Sequence, residues 1–176
     1  DHELLTDANG VRVVAFGNWA GVVGAYNAMR AWQATTTPTQ TPLRPAHACH
    51  DRAEMDQRLA AYELPSDLRI VITGDGRVGT GAMETLDRAG VERVSPADFL
   101  ERTFNNPVYT VTGVADIYER EDGNAFDRDA FYADPSGHRS RFLPYASKAD
   151  IYIAFHFWDP RGPKILDAEA LRTPGS

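Results

Sequence analysis

Cysteine is almost absent from these 176 residues: Cys49 stands alone, so no disulfide can form within the chain and a reducing, cytoplasmic setting is expected. Basic charge is also in deficit. Eighteen Lys and Arg face twenty-five Asp and Glu, for a net charge of −7, whereas nucleic acid or an anionic membrane as main partner calls for a clustered basic face. Neither partner is expected. No apolar run approaches the roughly 20 residues needed to cross a bilayer. The amino end, Asp-His-Glu-Leu-Leu-Thr-Asp, lacks the basic start and apolar centre of a secretory signal. It also lacks an initiating Met, which reads as a fragment or a processed chain. Three catalytic signatures, Gly-x-Ser-x-Gly, HExxH and GxxxxGK(S/T), do not occur, so hydrolase, zinc-protease and P-loop readings have no support. His47-Ala-Cys49-His50 has metal-ligand spacing but no second cluster to complete a zinc sphere of three or four ligands. Solvated side chains, and no metal, are the expectation there.

What is present is an ordinary globular composition, 43% hydrophobic and 24% charged, long enough for one domain or one domain and part of another. Its most informative stretch is Gly74-Asp-Gly-Arg-Val-Gly79, directly after the apolar run Leu68-Arg-Ile-Val-Ile-Thr73. This is GxGxxG between a buried strand and a helix, the context that makes a dinucleotide-binding turn. Gly74 permits the bend, Gly76 admits a pyrophosphate against the backbone, and Gly79 lets the helix lie close on the sheet. The helix start then offers unpaired N–H groups and a positive dipole end to the phosphates. A glycine-rich turn without a ligand is the competing reading.

Along the chain, Val11–Phe16 reads as a short strand after the turn Asn9-Gly10. A helix is expected from Asn18 to about Trp32, with Val22, Val23, Tyr26 and Met29 on its apolar face. Residues 35–46, rich in Thr and Pro, read as a surface linker, and Asp51–Leu64 as an amphipathic helix. After the glycine turn, a helix from Gly79 to about Ala89 and a short strand Val91–Val94 complete a β-α-β unit, which requires parallel strands. Val108–Thr112 and Ala149–Phe155 are further strand candidates, and the polar stretch 116–138 reads as an insertion with short helices. The fold class expected is α/β: a Rossmann-like parallel sheet with flanking helices over residues 67–176, with residues 1–66 contributed from an adjoining domain.

The acid that would hold an adenosine ribose belongs near the end of the second strand, roughly 20 residues past the glycines. Asp98 is the candidate, and a carboxylate there favours NAD over NADP. The alternative is that Asp98 caps a helix, since Ser95-Pro-Ala-Asp98 is itself a capping sequence. Arg77 could cover the pyrophosphate or be a solvated arginine. His156 and Phe157 follow the last strand, where carboxyl ends of strands line the ligand crevice; a core aromatic cluster with Trp158 competes for Phe157.

Three stretches resemble the lysine-forming saccharopine dehydrogenase family, relatives of alanine dehydrogenase and the transhydrogenase NAD-binding subunit. They are Asp1 to Gly21, Gly74-Asp-Gly-Arg-Val-Gly-Thr-Gly-Ala82, and Ala149-Asp-Ile-Tyr-Ile-Ala-Phe-His-Phe-Trp158. The resemblance implies a two-domain enzyme that cleaves saccharopine oxidatively to lysine and 2-oxoglutarate with NAD, in a cleft between the domains. It implies Gly76 and Arg77 on the pyrophosphate, Asp98 on the ribose, Phe157 and Arg12 beside the cofactor, Phe16 on the substrate side, and Glu3 as an acid near the reaction centre that tunes an acid–base pair. A small-molecule amino-acid substrate follows from it; the oligomeric state does not. There are departures. The family's catalytic lysine and histidine lie in a segment before this chain, and the last strands of its nucleotide domain lie after about Leu171. Val11 replaces the first of two arginines, leaving Arg12, and Val78 and Phe155 replace the paired cysteines of some relatives. The chain resembles the middle of such an enzyme. A dinucleotide-binding or regulatory module without catalysis, and a Rossmann-type methyltransferase, remain the alternatives.

Overall fold

The computed structural model describes residues 2–36, 41–168 and 172. Helix α1 spans Gly17–Thr36 and α2 spans Arg52–Ala60. The Asp51 carboxylate starts α2 by accepting a hydrogen bond from the Glu54 amide at 2.9 Å, the ordinary use of Asp at a helix N-cap. Strand β1 (Arg69–Thr73) leads through the glycine turn into α3 (Arg77–Arg88), followed by β2 (Glu92–Val94), α4 (Pro96–Glu101) and β3 (Val108–Thr112). A small unit comes next: α5 (Val114–Ile117), β4 (Tyr118–Arg120), α6 (Arg128–Ala133) and β5 (His138–Ser140), with β4 and β5 paired antiparallel. Helix α7 (Leu143–Ala146) and strand β6 (Ile151–Ala154) follow.

β1, β2, β3 and β6 form one parallel sheet in the order β2-β3-β1-β6. Parallel strands are covered on both faces, and alternation along each strand divides the core in two. Ile70, Ile72, Tyr109, Val111, Ile151 and Ile153 pack under α1, α2 and α3. On the other face Val71 and Val108 meet Phe99, Ile117, Phe131, Phe142 and Tyr145. The expected α/β sheet is therefore present, with helices on both sides. Val22, Tyr26 and Met29 of α1 and Leu59 of α2 are buried in the same cluster as Ile70 and Ile72 of β1.

Several local expectations change. Val11–Phe16 is not a strand: a single bridge joins Thr6 to Arg12, and Val11 and Val13 are exposed, so the apolar alternation has no sheet to pack on. Helix α3 begins at Arg77, two residues before the glycine expected to start it. The 116–138 stretch holds a β-pair as well as helices. Of the Thr/Pro segment, residues 37–40 lie outside the described residues. The chain after them returns to the core, where the buried Gln33 amide donates to Thr41 O at 2.9 Å and accepts from Leu43 N at 2.8 Å.

The core carries an alkaline weakness. Burial, reinforced by the Cys49 thiol beside it, pushes the Tyr26 phenol up to about 12 from its ordinary 10. Burial does the same for Tyr118, also to about 12. Above pH 10 the unfolded chain releases these protons and the folded chain does not. Stability is therefore fully present below pH 10 and falls as pH rises towards 12. Denaturant midpoints at pH 9 and pH 11 should show the loss, with phenolate absorbance rising together with unfolding. Equal midpoints would contradict this account.

Candidate nucleotide-binding site

The site is built where β1 ends. Gly74 has φ +99, and its backbone passes so close to β6 that a Cβ would lie 2.8 Å from His156 N. Its own amide donates to Thr112 O at 3.0 Å, so this residue joins the carboxyl ends of three neighbouring strands. Gly79 touches the turn from the other side, with a Cβ position 2.1 Å from Gly74 O. No other residue fits either place. Gly76 differs. Its φ is −77, and nothing lies within 4 Å of where a Cβ would be. It is the N-cap of α3 without a side chain to satisfy the first amides, which leaves them directed outward as an anion-binding end.

A second helix start lies beside the first. Gly17 at the head of α1 would place a Cβ 3.4 Å from Arg77 Cβ, Gly21 meets Val78 and Ala82, and Gly81 meets Asn18 and Val22. This register makes α1 and α3 parallel, with both positive ends at the sheet's carboxyl edge. Arg77 is exposed there. Phe16, exposed and immediately before α1, has its ring 5.8 Å from that of His2. Arg12 lies in the bridge to Thr6. Glu3 belongs to a turn spanning His2–Leu4, and its side chain lies outside the described residues.

At the end of β6 the His156 ring is tied down. Its Nδ1 is 2.7 Å from Thr73 Oγ1, which is 3.3 Å from the Tyr152 hydroxyl. Burial holds the imidazole below its usual range, and its Nε2 is buried without a hydrogen-bond partner. Phe157 is not a core ring: it is 81% exposed, past the strand end.

Asp98 does not lie beside the glycine turn's neighbouring strand. It is in the first turn of α4, where its amide donates to Ser95 Oγ at 3.0 Å, its Oδ2 accepts from Ser95 Oγ at 2.9 Å, and its Oδ1 is 3.5 Å from Arg102. Ser95 is the N-cap of α4, and Asp98 is the third residue of the helix, bonded to that cap. β2, which precedes it, is an edge strand separated from β1 by β3. The strand next to β1 on that side is β3, and the acid after it is Asp116, whose Oδ2 accepts from Gly113 N at 2.8 Å. Sequence reasoning took β2, the next strand in the chain, for the neighbour of β1 and did not single out Asp116, which like Asp98 is the third residue of a capped helix. The signal was there: Val108–Thr112 is the longer and more apolar run. Thr73 and Tyr152 were also missed, lying inside strands that read as core. Among the described residues, no group of His, Cys, Asp and Glu is placed to hold a metal ion, and no helix is long and apolar enough to cross a membrane.

The geometry can be set against known proteins. The chain is 29% identical over 202 aligned residues to the mitochondrial alpha-aminoadipic semialdehyde synthase of Bos taurus, and 27% over 201 to that of Mus musculus. Each alignment covers 99% of this chain and 21% of the relative. Over 129 residues it is 31% identical to a saccharopine dehydrogenase (NAD(+), L-lysine-forming) of Neurospora crassa, covering 67% of this chain and 34% of that enzyme. This chain is a relative of the saccharopine dehydrogenases. The resemblance carried by the N-terminal stretch, the glycine turn and the β6 region thus has homologues behind it. No family model matches the chain. The chain spans about a fifth of the length of the synthases it matches.

Proposed function

We propose that this chain supplies the dinucleotide-binding part of an NAD-dependent oxidoreductase acting on the CH–NH bond of an amino-acid conjugate, saccharopine or a close analogue, which yields lysine and 2-oxoglutarate. The observation that carries the reading is Gly76. Nothing in the protein needs a glycine there, because φ is negative and the Cβ position is empty, so the space is available to a ligand's pyrophosphate in front of an uncapped helix. NAD, when bound, would supply the hydride acceptor. The first amides of α3 would take the pyrophosphate and Arg77 would cover it. Asp116, in the place first expected of Asp98, would accept the ribose hydroxyls. The amino-acid substrate would approach from the side of Phe16. Acid–base groups for the imine chemistry would come from residues outside this chain. The lone thiol of Cys49 keeps a cytoplasmic setting within this reading, although the synthases are mitochondrial by name.

Calorimetric titration with NADH, NADPH and S-adenosylmethionine tests it. NADH is expected to bind best. Binding of S-adenosylmethionine alone would replace the reading with a methyltransferase, and binding of none would remove it. Asp116→Asn should weaken NADH about tenfold and narrow its preference over NADPH, since a carboxylate repels a 2′-phosphate. An unchanged preference would take Asp116 out of the ribose site.

A further inference from the structure

The end of β3 carries another glycine whose backbone does not require one. Gly113 has φ −86, and a Cβ there would meet Asp116 Oδ2 at 3.6 Å and Arg128 Nη2 at 3.9 Å, both ordinary contact distances. The residue before it, Thr112, accepts the Gly74 amide at 3.0 Å, so this open point adjoins the glycine turn. A carboxylate from α5 and a guanidinium from the first residue of α6 flank it from two sides.

Arg128 is exposed, and among the described residues its guanidinium has no hydrogen-bond or ion-pair partner. Neighbouring arginines are committed elsewhere: Arg120 to Asp122, Arg139 to Glu119 and Arg161 to Asp159. What sets Arg128 apart from a solvated surface arginine is its place. In a sheet of this kind the strand beside β1 ends at the adenosine ribose, where a carboxylate takes the hydroxyls or an arginine accommodates a 2′-phosphate. This chain brings both groups to one point. The guanidinium fork matches phosphate oxygens in shape, and its charge opposes the repulsion that Asp116 exerts on a phosphate.

We propose that Arg128 is a specificity-determining residue of the nucleotide site: it contacts a 2′-phosphate and so admits NADPH as a second, weaker ligand beside NADH. Asp116 and Arg128 then act in opposition, and the preference between the two dinucleotides is the balance of the pair. The inference rests on the dinucleotide reading of the glycine turn and extends it to the adenosine end.

NADH and NADPH differ by the 2′-phosphate alone, as do 5′-AMP and adenosine 2′,5′-bisphosphate, and calorimetric titration of the intact chain with all four isolates its contribution. Arg128→Met keeps the aliphatic stem and removes the charge; at an exposed position without a partner it should melt with the parent. It should weaken NADPH and adenosine 2′,5′-bisphosphate about tenfold and change NADH and 5′-AMP less than about twofold, the loss of one charge-assisted contact. Arg128→Lys, which keeps the charge without the fork, should recover part of the loss. In the parent, NADPH affinity should fall more steeply with salt than NADH affinity, and the two slopes should converge in Arg128→Met. Added to Asp116→Asn, Arg128→Met should restore the preference for NADH that Asp116→Asn narrows. Binding of NADH with no NADPH, equal loss of both in Arg128→Met, or unchanged NADPH affinity in that variant would overturn the assignment and leave the dinucleotide site standing. Binding of neither by the parent would remove both.

Discussion

A single methyl group added at Gly21 or Gly81 is expected to destabilise this protein by about 3 kcal/mol or more, at or above the upper range for overpacking a close-fitting interior. At Gly21 the new carbon would stand 1.8 Å from Val78 O and 2.9 Å from Ala82 N; at Gly81 it would stand 1.9 Å from Asn18 O. These are backbone atoms of the facing helix and cannot rotate aside. The whole contact between α1 and α3 must open, exposing Val22, Tyr26, Ala82 and Leu86, which are fully buried. For a chain of this size such a loss lowers the melting temperature by roughly 6–12 °C. Gly76→Ala, where the added carbon meets nothing, is the matched control and should melt near the parent. If Gly21→Ala and Gly76→Ala unfold at the same denaturant concentration, the close crossing of α1 on α3 is not as described.

Gly76→Val should have the opposite profile: a fold that stands and a cofactor site that does not. The backbone there is compatible with any residue and the surroundings are open, so the loss is confined to a change of N-cap, within about 1 kcal/mol. A branched side chain would nevertheless fill the approach to the first amides of α3. NADH affinity should fall at least about 100-fold, equivalent to about 2.7 kcal/mol. Gly79→Val separates the two effects, since its Cβ would run into Gly74 O and should damage stability and binding together. Melting curves with and without NADH read both at once, because a ligand that binds only the folded form raises its stability by mass action. A Gly76→Val protein stabilised by NADH as fully as the parent would remove the turn from the site, and the functional reading with it.

The parts of this fold that could be read from the chain are those whose signal is local. β1, β3 and β6 are runs of Ile, Val and Tyr bounded by turn residues, and α3 follows a glycine pattern that has one structural meaning in that context. What could not be read depends on partners remote in sequence. Val11–Phe16 has the composition of a strand but finds no strand to pair with. Asp98 has the right spacing from the glycines, yet its strand sits at the sheet's edge, and spacing along the chain carries no record of that. Gly21 and Gly81 look like weak points in helices when read alone; only the facing backbone explains them. The polar chain Tyr152, Thr73, His156 joins residues about 80 apart, and no local pattern announces it.

The strand order also bears on how the molecule assembles. β1 is made first and β2 second, but they are never neighbours; β2 has one sheet partner, β3, which follows it in the chain. Until Val108–Thr112 slides in beside β1, the edge strand has no ladder to join, and β6 arrives later still. The sheet therefore grows outward from a central pair that closes a loop of more than thirty residues, a topology dominated by distant pairings and slow to form. During that interval the amide and carbonyl rows of β1 are open on both sides. The nascent protein is then most exposed to pairing with the wrong chain.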